Sequence, residues 1–360
     1  MPIPLLLHGR HGGPPVVYEP FGPWIVPWRF TSLEAEYGAL RRGVGLIDYS
    51  TQALVEVQGP DRADFLHRLL SHDIKALTPG RGCRAALLTQ NAQILSDLLV
   101  LADTQAHWLL CDATRAAAVA ERLRHYLFSE QVTITNHERR KAVLALEGPG
   151  ALEALRRLLD QPLSLPQSGD HAVVPFQGDA LRLIRSSVVG GEGVLCLIAA
   201  DGAWPLWQAL QRRAQEDGLK LAGWEALNVA RIEAGRAWFG FDLSESHLLP
   251  ETGLERELAS ETKGCYIGQE IVARVQTYGS LNKKLMGLLI DGEQTADPGD
   301  AIVRNDEELG RVTSACQSIA LRRPIAMGYV KRPAYEPGTR VEIVRDETRL
   351  AALVTRLPFV

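Results

Sequence analysis

The chain of 360 residues lacks most of the features that would commit it to a membrane, a nucleic acid or a metal. No apolar run reaches the roughly 20 residues that a helical membrane span needs. The first residues, Met1 to Leu7, have neither the basic head nor the cleavage pattern of a secretory signal, so a cytoplasmic location is expected. Lys plus Arg number 39 against 43 Asp plus Glu, and the resulting net charge of -4 offers no general attraction to nucleic acid or to an anionic membrane. Stable nucleic-acid binding and membrane association are therefore not expected. The basic pairs Lys283-Lys284 and Arg322-Arg323 read as solvated charge, because no aromatic residues interleave them. The five cysteines, Cys83, Cys111, Cys196, Cys265 and Cys316, are odd in number, scattered and without a CxxC pair. That pattern signals no disulfide framework and no self-contained zinc or iron-sulfur site, so no metal ligands are assigned. GxxxxGK[ST] and a strand-linked GxGxxG are also absent, which sets aside the nucleotide-loop folds.

What is present is an ordinary globular composition, 46% hydrophobic and 23% charged, at a length that implies two or three domains. Residues 1–30 carry Pro15, Pro20, Pro23 and Pro27 beside Trp24 and Trp28, and read as an extended arm pinned by its tryptophans. A helical pattern over Leu33 to Leu40 stops at Gly43, and Gly45 to Asp48 leads into the alternating strand Leu54-Val55-Glu56-Val57. Gly59-Pro60-Asp61 then opens a helix with the apolar stripe Phe65, Leu66, Leu69 and Leu70. The unit recurs: Leu144 to Glu147 is a strand, Gly148-Pro149 a turn, and Leu152, Leu155, Leu158 and Leu159 a helix stripe. An approximate internal duplication around 53–70 and 142–159 follows, giving two related α/β lobes in which antiparallel sheets carry helices. After Gly279 the texture changes to short strands spaced by Asp291-Gly292, Pro298-Gly299, Asn305-Asp306 and Pro337-Gly338, which suits a β-barrel or sandwich over 279–360. The expected fold class is α+β.

Chemistry concentrates in Lys263-Gly264-Cys265-Tyr266-Ile267-Gly268-Gln269-Glu270. A thiol just before a helix start, with an ammonium group two residues away, is a setting that favours thiolate; the plain alternative is a small apolar Cys in a glycine-shaped turn. Val189-Gly190-Gly191-Glu192-Gly193 lets a flat ligand approach the backbone while Glu192 accepts its N–H groups, or merely closes a hairpin. Arg231, in a helix over Trp224 to Ala234, faces either a pocket rim or solvent.

The Lys263 to Glu270 stretch resembles the signature of the YgfZ-type folate-binding proteins, within the superfamily of the glycine-cleavage T-protein, the tetrahydrofolate-dependent aminomethyltransferase. Gly45-Leu46-Ile47-Asp48, Val57-Gln58-Gly59-Pro60-Asp61, Arg231-Ile232-Glu233-Ala234-Gly235, Gly310-Arg311-Val312-Thr313-Ser314 and Ala326-Met327-Gly328-Tyr329-Val330 resemble superfamily landmarks. The resemblance implies a T-protein-like three-lobed body, with a folate-binding part over 31–278 and a C-terminal β-barrel over 279–360. It implies tetrahydrofolate, or a derivative, as cofactor, with Arg231, Asp97 and Glu192 on the folate side. Cys265 would be the functional thiol, supported by Lys263, Gly264, Tyr266, Gly268, Gln269 and Glu270. The role expected from it is an accessory one in the assembly or repair of iron-sulfur clusters. Its partners would be client enzymes or assembly factors, with an indirect link to tRNA modification; the alternative is the aminomethyltransferase reaction itself. Two departures from the T-protein pattern weigh against that alternative. Ser96 stands where the T-protein has the first of two aspartates, leaving Asp97 alone, and Leu195 lies where a second acid would follow Glu192.

Overall fold

The computed structural model describes every residue except Met1, Gly13, Pro14 and Ser280, and describes residues 213–217 and 276–278 through their backbone alone. The chain forms two compact units. The first comprises Met1–Gln90, Leu95–Leu227 and Arg256–Ile267, the second Asn91–Ile94, Asn228–Glu255 and Gly268–Val360.

The proline-rich start is more ordered than an extended arm. Ile3–Pro4, Val17–Phe21 and Trp24–Arg29 form a three-stranded sheet with the last of them in the centre. Pro20 lies on an edge strand, where no ladder donor is needed, and Pro27 pairs with Tyr18 beside a register shift. His11 is fully buried, with Nε2 3.0 Å from Asp48 Oδ2 and Nδ1 2.8 Å from the Tyr18 hydroxyl. Trp207 Nε1 donates to His11 O at 2.9 Å and Trp224 Nε1 to Asp48 O at 3.1 Å. The indoles that fasten this segment thus include two from far along the chain.

The rest of the first unit holds two sheets of matching connectivity. In one, the strands lie in the order Gly82–Leu88, Ile94–Ala102, Ala106–Asp112, Gln52–Gln58, Thr133–Asn136. In the other the order is His171–Phe176, Asp179–Arg185, Gly193–Ala199, Lys141–Glu147, Val44–Asp48, Leu219–Leu221. Apart from the inserted Val44–Asp48, each sheet follows one plan. A central strand leads through a turn into a helix, three strands walk outward-to-inward, and a second helix returns to a last strand beyond the centre. The helices are Arg62–Leu69 and Ala116–His125 in the first case, Ala151–Leu159 and Ala203–Asp217 in the second. Leu46, Leu144, Leu155, Ile198 and Trp207 are among the fully buried side chains of the second sheet's core.

The turns after the two central strands share a backbone conformation. Gly59 has φ +111° and Gly148 φ +112°. A Cβ added at Gly59 would lie 2.0 Å from Gln131 O, and one at Gly148 would lie 2.3 Å from Gly43 O. Both positions therefore need glycine twice over, for the dihedral and for the close approach.

In the second unit, Lys283–Ile290, Arg323–Lys331, Glu307–Ser318, Ala301–Arg304, Arg340–Arg345 and Thr348–Thr355 close into a six-stranded barrel in that order. Leu288, Ile290, Ile302, Ile343 and Val354 fill it without exposure. The mixed α/β body with a terminal barrel agrees with the α+β expectation and decides for a barrel over a sandwich. No helix among the described residues is long and apolar enough to cross a membrane.

Gly59→Ala and Gly148→Ala are each expected to lower unfolding free energy in urea titration by about 2–4 kcal/mol, since strain and overlap add. Gly264→Ala, where an added Cβ meets nothing within 4 Å, serves as the neutral control.

Candidate functional site

Asp97 lies on the strand Ile94–Ala102, whose burial alternates strictly from Ile94 to Leu99. Ser96 is fully buried on the core side, whereas Asp97 shares the other, half-buried face with Leu95 and Leu99. Successive strand residues point to opposite faces, so a carboxylate at position 96 could not stand beside that of Asp97. The serine is consequently not a missing half of an acid pair on this face. Asp97 Oδ2 accepts from Arg84 Nη2 at 3.2 Å, and Arg84 Nη1 donates to Glu257. Both partners are more than a fifth exposed, so the ion pair orients the carboxylate more than it stabilises the fold.

Glu192 sits on the glycine-rich turn, 55% exposed, with Arg185 Nη2 2.8 Å from Oε2. The turn is built from beneath by Glu147, fully buried at the end of a central strand. Glu147 accepts from Ser187 Oγ at 2.6 Å and from Val188 N at 3.0 Å, and Ser187 Oγ accepts in turn from Val189 N and Gly191 N. A Cβ on Gly193 would come within 2.7 Å of the Glu147 carboxylate, which is why the turn ends in glycine. The result is a fixed loop that presents a carboxylate to solvent.

Arg231, expected on the folate side, is 1% exposed and committed inside the second unit. Its Nη1 lies 2.7 Å from Asp242 Oδ2, Nη2 donates to Ser314 Oγ at 2.7 Å, and Nε donates to Asn228 Oδ1 at 2.9 Å. The Trp238 ring lies 4.5 Å from the guanidinium carbon. Asp242 Oδ1 also accepts from Thr313 Oγ1 at 2.6 Å and Ser314 Oγ at 2.7 Å. Two consecutive side chains reach one carboxylate because the ladder register shifts between Val312 and Ser314. Such a saturated buried pair is a structural centre whose rupture leaves an uncompensated charge.

Within Lys263 to Glu270 the residues divide. Lys263 is buried, and its Nζ donates to the carbonyls of His67, Leu70 (2.6 Å) and His72 (3.2 Å). These carbonyls lie at and just beyond the C-terminal end of Arg62–Leu69, where a cation is favoured and unpaired acceptors need donors. Burial pushes the ammonium pKa down to about 8, so it still carries charge at neutral pH. It also lies 5.1 Å from the Tyr266 ring centre, and Tyr266 is buried, which pushes its phenol upward. Lys263 therefore anchors a loop. Cys265 and Gly264 are exposed, and Gly268, at φ +84°, caps the helix Gln269–Tyr278, in which Glu270 pairs with Arg274 at 3.1 Å. Sequence reasoning missed Arg84, Glu147 and Asp242, because each works through a residue distant in the chain.

Comparison with known proteins follows the same division of the chain. A family model described as the GCVT N-terminal domain matches residues 7–261, and one described as the glycine cleavage T-protein C-terminal barrel domain matches 283–360. A protein of Prochlorococcus marinus (strain NATL2A) named aminomethyltransferase is 27% identical, over 94% of this chain and 93% of its own length. One of the same name from Corynebacterium aurimucosum is 26% identical, over 98% and 96%. The crystal structure of glycine cleavage system aminomethyltransferase T from Bartonella henselae superposes with a TM-score of 0.89 at 24% identity, covering 99% of this chain and 98% of that one, a likeness of fold. Relatives of this kind along nearly the whole chain overturn the expected accessory role in iron-sulfur assembly. Its client partners and its link to tRNA modification go with it. The T-protein superfamily is supported; the YgfZ-type assignment as such is not.

Native alkylation with iodoacetamide is expected to modify Cys265 first. Cys111, Cys196 and Cys316 are buried, and burial pushes the half-buried Cys83 thiol up to about 12. Peptide mapping that finds Cys83 labelled as fast as Cys265 would contradict this. Lys263→Met should cost about 2–3 kcal/mol in denaturant unfolding, since it leaves acceptors at the helix end without their donor.

Proposed function

We propose that this chain, which belongs to the glycine cleavage T-protein family, is a tetrahydrofolate-dependent aminomethyltransferase of the cytoplasm. It would take the aminomethyl group of a lipoyl-type carrier, release ammonia and leave the carbon on folate. The observation that supports this reading best is the run of similarity to proteins named aminomethyltransferase through both the body and the barrel.

Folate supplies the nucleophilic nitrogens, and the chain supplies acceptors and order. Asp97, held by Arg84 on a rigid strand, is assigned the proton that a folate N–H must lose as its carbon bond forms. Glu192, fixed by the Glu147-built turn and by Arg185, is assigned the N–H edge of the pterin. Acceptor-only groups, one half-buried and one exposed, fit a ligand edge rich in donors. Arg231 is assigned a supporting part, holding the Asp242 centre rather than touching ligand. Cys265 stays a proposed site residue as the accessible thiol of its motif, outside the proton chemistry, with Lys263, Gly264, Tyr266, Gly268, Gln269 and Glu270 shaping the loop around it. The motif is read as marking a YgfZ-like branch of the family, a kinship that carries no iron-sulfur role. The working division of the chain is a body over 31–278 and a barrel domain over 279–360.

Purified full-length protein given tetrahydrofolate and an aminomethylated lipoyl carrier should release ammonia. Asp97→Asn should lower kcat by about 10²–10⁴-fold, the usual worth of a positioned acid or base. In calorimetry, Glu192→Ala should weaken tetrahydrofolate binding by about 10-fold or more, the loss of hydrogen bonds to a charged acceptor. The reading fails if the wild type releases no ammonia from the loaded carrier, whether or not it binds tetrahydrofolate.

A further inference from the structure

The face of the sheet that carries Asp97 holds a second carboxylate that its position in the chain conceals. The strands Ile94–Ala102 and Ala106–Asp112 pair antiparallel, with Leu99 opposite Leu110 and Val100 opposite Leu109. Continued toward the open end of the hairpin, that register sets Asp97 across from Asp112. Residues opposite one another in an antiparallel pair project on the same face, so the continued register places the two carboxylates on one side of the sheet, and the charge of Asp97 acts on Asp112. Like charges there are destabilising unless the site uses them. Asp112 is positioned in its own right, because its Oδ1 accepts from Thr114 N at 2.9 Å and from Thr114 Oγ1. Arg115 follows directly, and its Nε donates to Leu95 O at 2.9 Å, which ties the turn after one strand to the start of the other.

We infer that Asp112 is the positioning carboxylate of Asp97, and that the two accept a substrate proton as one cross-strand pair. The inference rests on the transferase reading above and deepens it by replacing the adjacent acids Ser96 cannot supply with acids on adjacent strands. In the transfer, the bonds from the aminomethyl carbon to the carrier sulfur and to the amine nitrogen break, and bonds to folate N5 and N10 form. The two N–H protons displaced finish on the sulfur and on ammonia. The pair takes the N5 proton and returns it to a leaving group, so it ends as it began and needs no oxidant or reductant.

The surroundings agree with a coupled pair. Burial raises the Asp112 pKa and the charge of Asp97 raises it further, while the bonds from Thr114 and the charge of Arg115 act against both. Among the described residues, the charged groups that act on the pair include Arg84 from the neighbouring strand, with Glu257 on its far side, and Arg115 from the turn. Glu138 acts at longer range on Cys111, the residue beside Asp112.

The test follows the Asp112 side-chain carboxyl by ¹³C NMR across a pH titration of the full-length protein, the resonance being assigned by its loss in Asp112→Asn. In Asp97→Asn the Asp112 midpoint should fall by about half a pH unit or more, because a like charge has gone. An unchanged midpoint overturns the pairing whether or not the protein turns over. In the ammonia-release assay, Asp112→Asn should move the acidic limb of kcat/KM to lower pH with KM for tetrahydrofolate within about twofold of wild type. Asp112→Glu should restore the wild-type profile. A profile for Asp112→Asn that superimposes on an active wild type overturns the shared role, whereas a wild type without turnover overturns the transferase reading and, with it, that role.

Discussion

Two glycines hold a backbone conformation that any side chain would strain, and both sheets of the first unit are built outward from them. At Gly59 and Gly148 the chain leaves a central strand with φ near the same positive value and presses against a carbonyl oxygen of another segment. The proline that follows each one stands just before the helix cap, Asp61 or Gly150, and its fixed φ narrows the turn that leads into the helix. Each central strand is thereby committed to a helix on one side, and the outer strands can only arrive by returning from it. Val44–Asp48, inserted in the second sheet alone, is the main departure from the common plan, and its Asp48 holds the buried His11 of the N-terminal segment.

From that frame the carboxylates proposed for the site acquire their directions. Asp97 owes its orientation to strand alternation and Arg84, and Glu192 to a turn fastened by a buried carboxylate. Each carboxylate starts from a fixed piece of backbone and is steadied by one arginine, which suits a site that must hold acceptors ready. Buried charge is used differently elsewhere. Lys263 is surrounded by carbonyls and Arg231 by acceptors and rings, so each keeps a segment of chain in place and has little capacity left for a ligand.

Much of the architecture could be read from local pattern. The strand, Gly-Pro turn and helix stripe met twice matched the common connectivity of the two sheets, and the turn pairs after Gly279 announced the barrel, because both are written in residues close together in sequence. At Ser96 the chain pattern says less than the fold, because on a strand neighbours in sequence face apart. Asp112 becomes a neighbour of Asp97 only through register, which depends on the loop between two strands and on the faces they bury. Arg231 and Lys263 were visible as charges, but their saturation by Asp242, Ser314 and distant carbonyls was not, since those partners come from other elements. The proline-rich start was read as an arm because no local pattern shows Tyr18, Asp48 and Trp207 converging on His11.

The central claim is the transfer of one carbon from an aminomethylated carrier to tetrahydrofolate. The direct measurement is to load a lipoyl carrier protein with a ¹³C-labelled aminomethyl group, add purified chain and tetrahydrofolate, and follow the label by NMR. The account predicts that the carrier methylene resonance is replaced by that of methylenetetrahydrofolate as ammonia appears in equal amount, and that Asp97→Asn slows the exchange. A label that stays on the carrier in the presence of folded, folate-saturated wild-type protein would contradict it.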